Sequence, residues 1–205
     1  LNADDQGISY LARDFKGKVI YFGVNDKKLD LPQIENVADI KHCLNCGSTL
    51  NYSTLLSAHL GHYTCKNCDF KRTNPAVSAS NLQFKPDFST SAQLTVNNEL
   101  LTVNYSLPGL YNVYNILAAS AAVNTFEIKP ETIKEITQKF SAAFGRFQKI
   151  KIKDKKVIIF LIKNPAGANE VIRTLAAKSK INLLAILNDK IADGRDVSWI
   201  WDTNW

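Results

Sequence analysis

Cys43-Leu-Asn-Cys46 and, 18 residues further on, Cys65-Lys-Asn-Cys68 frame the stretch that decides how this chain is read, residues 41–72. Two Cys-x-x-Cys knuckles at that separation offer four thiolates that can close a tetrahedron round zinc. Gly47 follows the first knuckle and allows its tight turn, and Asp69 holds the corresponding place after the second. A disulfide pair, a redox Cys-x-x-Cys or four unrelated buried thiols would be the competing readings. Nothing in the sequence marks an oxidising compartment, and no helix pattern follows either knuckle, so the segment reads as a zinc ribbon. His42, His59 and His62 are surplus to a complete four-thiolate set and read as turn or surface residues. A closed tetrahedron leaves no position for substrate, so the metal is expected to be structural, holding together about thirty residues too few to build their own core.

Working outward, all four Cys and all three His of the 205 residues lie inside or beside this ribbon. The rest of the chain therefore cannot assemble a Ser-His-Asp triad, a cysteine nucleophile or a histidine base. Apolar residues at 45 % against 21 % charged, with 6 Pro and 9 Gly, exclude low-complexity and strongly disordered classes. The balance of 25 Lys+Arg over 19 Asp+Glu favours anionic partners without choosing among them. The cluster from Lys149 to Lys156 alternates with Ile150, Ile152 and Asp154, which suits a half-solvated strand better than a nucleic-acid arm. No apolar run approaches the roughly 20 residues that span a bilayer. With no Met and an abrupt start at Leu1, the chain is expected to be an internal piece of a longer protein.

The flanks read as α/β. A short helix is expected at Ile8 to Phe15 and a nearly continuous apolar strand at Lys18 to Val24, as in buried parallel sheets. From Ala76 to Leu107 the period shortens to two, with Asn97-Asn98 as the turn of an antiparallel hairpin. Helices follow at Tyr111 to Phe126 and at Pro130 to Phe140, the second with Ile133, Ile136 and Phe140 on one face. A strand at Val157 to Ile162, a helix to about Lys178 and a strand at Asn182 to Leu187 then suggest a second α/β unit. The division expected is a central domain of residues 1–40 and 73–147, the ribbon insertion 41–72, and an incomplete C-terminal α/β, Rossmann-like domain 148–205.

Four polar clusters fall at strand ends or helix starts, where open α/β sheets bind ligands. They are Asn2-Ala3-Asp4-Asp5, Gly109-Leu-Tyr-Asn-Val-Tyr-Asn115, Phe144-Gly145-Arg146, and Asn188-Asp189 through Asp193-Gly-Arg-Asp196. In this order they resemble the Mur ligase family, ATP-dependent amide-bond-forming enzymes of cell-wall synthesis. With the ribbon, Lys163-Asn-Pro-Ala-Gly-Ala-Asn169 and Asp193-Gly-Arg-Asp-Val-Ser-Trp199, the likeness is to the branch that works with a GatD-like glutaminase subunit.

That resemblance implies amidation of the D-glutamate α-carboxyl of lipid II to D-isoglutamine, in the cytoplasm at the inner face of the membrane. ATP would form an acyl phosphate that ammonia from the glutaminase then attacks. It also implies that Asp196 completes a catalytic triad whose Cys and His belong to the partner, with Asp193 and Asp202 as competitors for the role. Asn112 and Asn115 would meet adenine or ribose, Arg146 the phosphates, and Asn2 the pocket edge. Cys43, Cys46, Cys65 and Cys68 would hold zinc. The glycine loop with its Lys and the magnesium ligands would precede Leu1, so this piece alone is expected not to hydrolyse ATP. Gln6 replaces the usual Pro after N-A-D-D, and Gln148 stands where many Mur ligases carry Glu. Two rivals remain: another Mur-type amide ligase, and a zinc-ribbon nucleic-acid-binding protein using Phe70, Lys71 and Arg72. No nucleic-acid partner is expected on the main reading.

Overall fold

A computed structural model describes residues 1–35, 38–141, 147–176, 181–190 and 196–204. Its centre is a four-stranded sheet in the order β1-β4-β5-β6, made by β1 (Phe22–Val24), β4 (Val77–Phe84), β5 (Thr90–Val96) and β6 (Glu99–Tyr105). β1 runs parallel to β4, and the remaining pairs are antiparallel. Only three residues of the apolar run at Lys18 to Val24 are strand, and Asn2 bridges in parallel to Phe22 on the far side of β1 from β4. The turn between β5 and β6 is at Asn97-Asn98, both at positive φ (51° and 65°), the geometry of a type I′ hairpin and the reason asparagine suits it.

Helix α1 (Gln6–Leu11) starts at Asp5, whose carboxylate accepts from the N–H groups of Gly7 and Ile8. Helix α2 (Leu110–Asn124) lies across β1, β4 and β5, burying Val113, Leu117 and Ala121; its small residues permit the close approach. Alternating buried positions on β5 and β6 supply the other half of this core through Leu94, Val96 and Val103. Helix α3 (Pro130–Lys139) packs beside β6. Its buried stripe is Pro130, Ile133 and Thr137, which leaves Ile136 61 % exposed; Phe140 falls just past the helix and is also exposed. The expected face is thus turned by part of a residue step, because the i, i+3, i+7 row beginning at Pro130 faces the sheet.

The ribbon contributes a second sheet, the antiparallel pair β2 (Leu50–Ser57) and β3 (Leu60–Cys65). It is not a separate bead. Leu56 belongs to the main hydrophobic core, and the Leu55 backbone bonds both the Leu31 N–H and the Asp30 carboxylate.

Beyond α3, β7 (Phe147–Ile152) and β8 (Lys155–Phe160) form a hairpin, so the basic alternation at Lys149 to Lys156 spans two strands and the turn at Lys153 (φ 54°). Helix α4 (Pro165–Ala176) follows. The hairpin meets the central sheet through the rings of Phe147, Phe160 and Phe88, with centroids 5.2–5.8 Å apart, and through Lys149 Nζ on the Asp87 carbonyl. The expected strand at Asn182 to Leu187 has no regular structure, and Leu183, Leu184 and Ile186 are exposed. A strand exists only through a neighbour's ladder, and none of the described strands pairs with this segment.

Candidate functional site

The two knuckles bring all four Cys sulfurs within 4.8 Å of one another. Cys43 Sγ lies 3.6 Å from Cys68 Sγ, and Cys46 Sγ 3.4 Å from Cys65 Sγ. A zinc–thiolate tetrahedron with bonds near 2.3 Å has sulfur–sulfur edges of about 3.8 Å, so this donor set fits such an ion with little movement. Gly47, at φ +75°, closes the first knuckle with its N–H on the Cys43 carbonyl. Burial pushes the Cys43 thiol up to about 12, whereas hydrogen bonds from Ser48 bring Cys46 down to about 6. Beneath the knuckles Tyr63, fully buried, stacks with Phe70, which in turn meets Tyr10 edge-on.

None of the three histidines joins this cluster. His62 is half-buried and its Nε2 lies 2.7 Å from the Val24 carbonyl, which can only accept, so this nitrogen carries the proton. Burial lowers its pKa and the Arg72 cation adds to this, keeping the ring neutral. His59 sits 3.8 Å from the Asp5 carboxylate. The histidines read as surplus surface groups are therefore two contacts between the ribbon and α1–β1, and only His42 is exposed.

The N-A-D-D element forms the junction. Asp4 is fully buried; its Oδ1 accepts from Arg72 Nε (2.5 Å), and its Oδ2 from the Val24 N–H (2.7 Å) and the Tyr114 hydroxyl (2.9 Å). Arg72 also reaches the Val24 carbonyl and Asn25 Oδ1. Burial, with Asp4 beside it, holds the Tyr114 phenol far above its ordinary range, so it stays a neutral donor. Tyr114 lies between Asn112 and Asn115 on α2, and its bond fastens the helix carrying both asparagines to the turn carrying Asn2. Asn2 Oδ1 accepts from the Asp4 N–H, Asn112 Nδ2 donates to the Pro108 carbonyl, and Asn115 is exposed. Arg146, like Asp193, lies outside the described residues. Gln6, where a Pro was expected, donates to the Ile40 carbonyl and the Tyr52 hydroxyl, contacts toward the ribbon that a proline could not make.

Asp196 is exposed. The Ser198 hydroxyl and N–H hold it below the usual carboxylate range, so it is ionised at neutral pH. A second buried cluster joins α4 to the ribbon tip. Glu170 accepts from Ser57 and Arg173, and Glu35 accepts from the Ala58 N–H and Arg173. Asn169 Oδ1 accepts from the Asn204 N–H. Sequence reasoning missed this cluster and the Asp4–Arg72–Tyr114 group, because their partners lie up to 169 and 110 residues apart in the chain.

The fold and the joined N-A-D-D and G-x-Y-N-x-Y-N elements define a Mur ligase-like protein. The structure of a pseudomurein peptide ligase type C from Methanothermus fervidus superposes with a TM-score of 0.70 at 32 % identity, over 88 % of this chain and 34 % of that one. A family model for the MurT ligase C-terminal region matches residues 161–205. The MurT subunit of lipid II isoglutaminyl synthase (glutamine-hydrolyzing) from Staphylococcus aureus is 31 % identical over all of this chain and 45 % of its own length. The Streptococcus pneumoniae subunit of the same name is 34 % identical over 80 % of this chain and 36 % of its own. The chain is thus similar to MurT subunits along its whole length, and it spans less than half the length of these relatives.

Proposed function

We propose that the protein to which this chain belongs is the synthetase subunit of a glutamine-dependent amidotransferase that converts the D-glutamate α-carboxyl of lipid II to a carboxamide. The observation that supports it most is the 31 % identity to a MurT subunit along the whole chain, including the segment that carries Asp196. ATP would transfer its terminal phosphoryl group to the carboxylate, ammonia would attack the acyl carbon, and phosphate would leave. Magnesium would neutralise phosphate charge in that step. Asn2, Asn112, Asn115 and Arg146 are the residues proposed to meet the nucleotide. Zinc is the proposed occupant of the four-thiolate set, with a structural role. The domain division at residues 41–72 and near residue 147 is retained as part of this reading.

The proposed partner is a GatD-like glutaminase. An exposed, ionised Asp196 can accept a hydrogen bond from a foreign imidazole and stabilise its charged form, a role for which this chain has no histidine outside the ribbon segment. Among the described residues no helix is long and apolar enough to cross a membrane; work at the cytoplasmic membrane face is part of the proposal.

The nucleic-acid reading finds less support. Arg72 is spent on Asp4 and Phe70 on Tyr63 and Tyr10, leaving only Lys71 of that trio exposed. The test is reconstitution of the full-length protein with the glutaminase, lipid II, ATP and amide-labelled glutamine. Label appearing in lipid II only with ATP is the expected result; label-free lipid II from an active preparation would refute it.

A further inference from the structure

The ribbon grips the N-A-D-D turn far more tightly than a self-contained module requires. The Gly61 N–H donates to the Asp4 carbonyl at 2.9 Å, beside the Arg72–Asp4 ion pair, the Gln6–Tyr52 bond and the His62–Val24 bond. Gly61 is itself fixed by the hairpin, where a Cβ would stand 2.3 Å from the Thr54 carbonyl oxygen. Arg72 follows the last cysteine by only four residues. Between them the Cys65 N–H bonds the Phe70 carbonyl and Thr64 bridges Lys71, so the exit strand is indexed to the second knuckle.

Asp4 is thus a single buried carboxylate held by three elements: the ribbon's exit through Arg72, β1 through Val24, and α2 through Tyr114. Losing the knuckles would release Arg72, and a buried carboxylate without its cation is strongly disfavoured. The turn would then have to open.

We propose that the metal-loaded ribbon is a positioning element for the N-A-D-D turn and α2, and that Arg72 is its positioning residue. Its consequence for nucleotide binding rests on the reading in the preceding subsection; the mechanical coupling does not. Two variants of the full-length protein separate these. Cys46→Ser, or chelation of the wild type, removes the metal, and Arg72→Met leaves the four thiols intact. Metal content and hydrogen–deuterium exchange are measured on each, together with the dissociation constant for ATP.

The expected result for Arg72→Met is unchanged metal content, faster exchange at residues 2–9 and 110–116, and ATP binding weaker by roughly tenfold, the scale of one lost charged hydrogen bond. In the assembled complex the KM for ATP should rise while kcat at saturation and the partner's glutamine hydrolysis hold, a split that general destabilisation does not produce. Arg72→Lys should recover part of the affinity. Exchange that quickens only within residues 43–68 on metal loss, or an Arg72→Met protein with wild-type exchange at residues 2–9, overturns the coupling. A wild-type protein that shows the coupling but binds no ATP would uphold the mechanics and overturn the nucleotide reading instead.

Discussion

Tyr114→Phe isolates one bond in the junction that holds the N-A-D-D turn to α2. The ring is retained and only the hydroxyl that donates to Asp4 Oδ2 at 2.9 Å is lost. Asp4 has no solvent exposure, so water cannot replace the donor. A hydrogen bond to a buried charged group is worth about 1.5–3 kcal/mol. Val24 N–H and Arg72 Nε remain on the carboxylate, which is therefore weakened and not orphaned, so the expected loss lies near the lower end, about 2 kcal/mol.

Asp4→Asn is predicted to cost more, about 3–4 kcal/mol, because it strands the Arg72 cation and turns a donor toward groups that are all donors. In that background Tyr114→Phe should cost under about 1 kcal/mol, since its acceptor has changed; this non-additivity is the signature of direct contact. Equilibrium urea unfolding of the full-length variants, read on the transition that carries the ribbon, gives all four corners of the cycle. A Tyr114→Phe protein within about 0.5 kcal/mol of wild type, or strict additivity with Asp4→Asn, would refute the argument.

Three further outcomes follow from the same contacts. Cobalt(II) added to the metal-free protein should give the thiolate charge-transfer bands of a tetrahedral site at one ion per chain, and any one of the four Cys→Ser changes should weaken or abolish them. Acidification should release the ion, because each thiolate must be deprotonated to bind. Arg173→Met leaves Glu35 and Glu170 without their shared cation and should cost about 2 kcal/mol at neutral pH, Arg173 being partly exposed. Burial already raises the Glu170 pKa above 4.5, and a raised folded-state value favours the folded protein most where the group is protonated. The Arg173→Met defect should therefore shrink as pH falls toward 4.5 and grow as pH rises through the folded-state value, which thermal unfolding across pH would show.

What could be read from the chain was what local chemistry encodes. The knuckle spacing named the four thiols, and Asn97-Asn98 named its turn, because positive φ is a property of the residues themselves. The start of α3 was legible in Pro130. The inward roles of Arg72 and His62 were not, since a cation or imidazole near a knuckle looks the same in sequence whether it faces solvent or a carboxylate from residue 4. Gln6 was visible only as a departure from pattern, and its meaning depends on Tyr52, 46 residues away. The apolar run at Asn182 to Leu187 has strand composition without a strand's partner among the described residues.

The central proposal is that the full-length protein lends a carboxylate to a glutaminase that supplies thiol and imidazole. Glutamine hydrolysis by the full-length complex carrying Asp196→Asn measures it directly. The account predicts an intact, copurifying complex whose hydrolysis rate falls by at least about 100-fold, the loss expected when the residue orienting a catalytic imidazole is neutralised. A rate indistinguishable from that of the wild-type complex would contradict it.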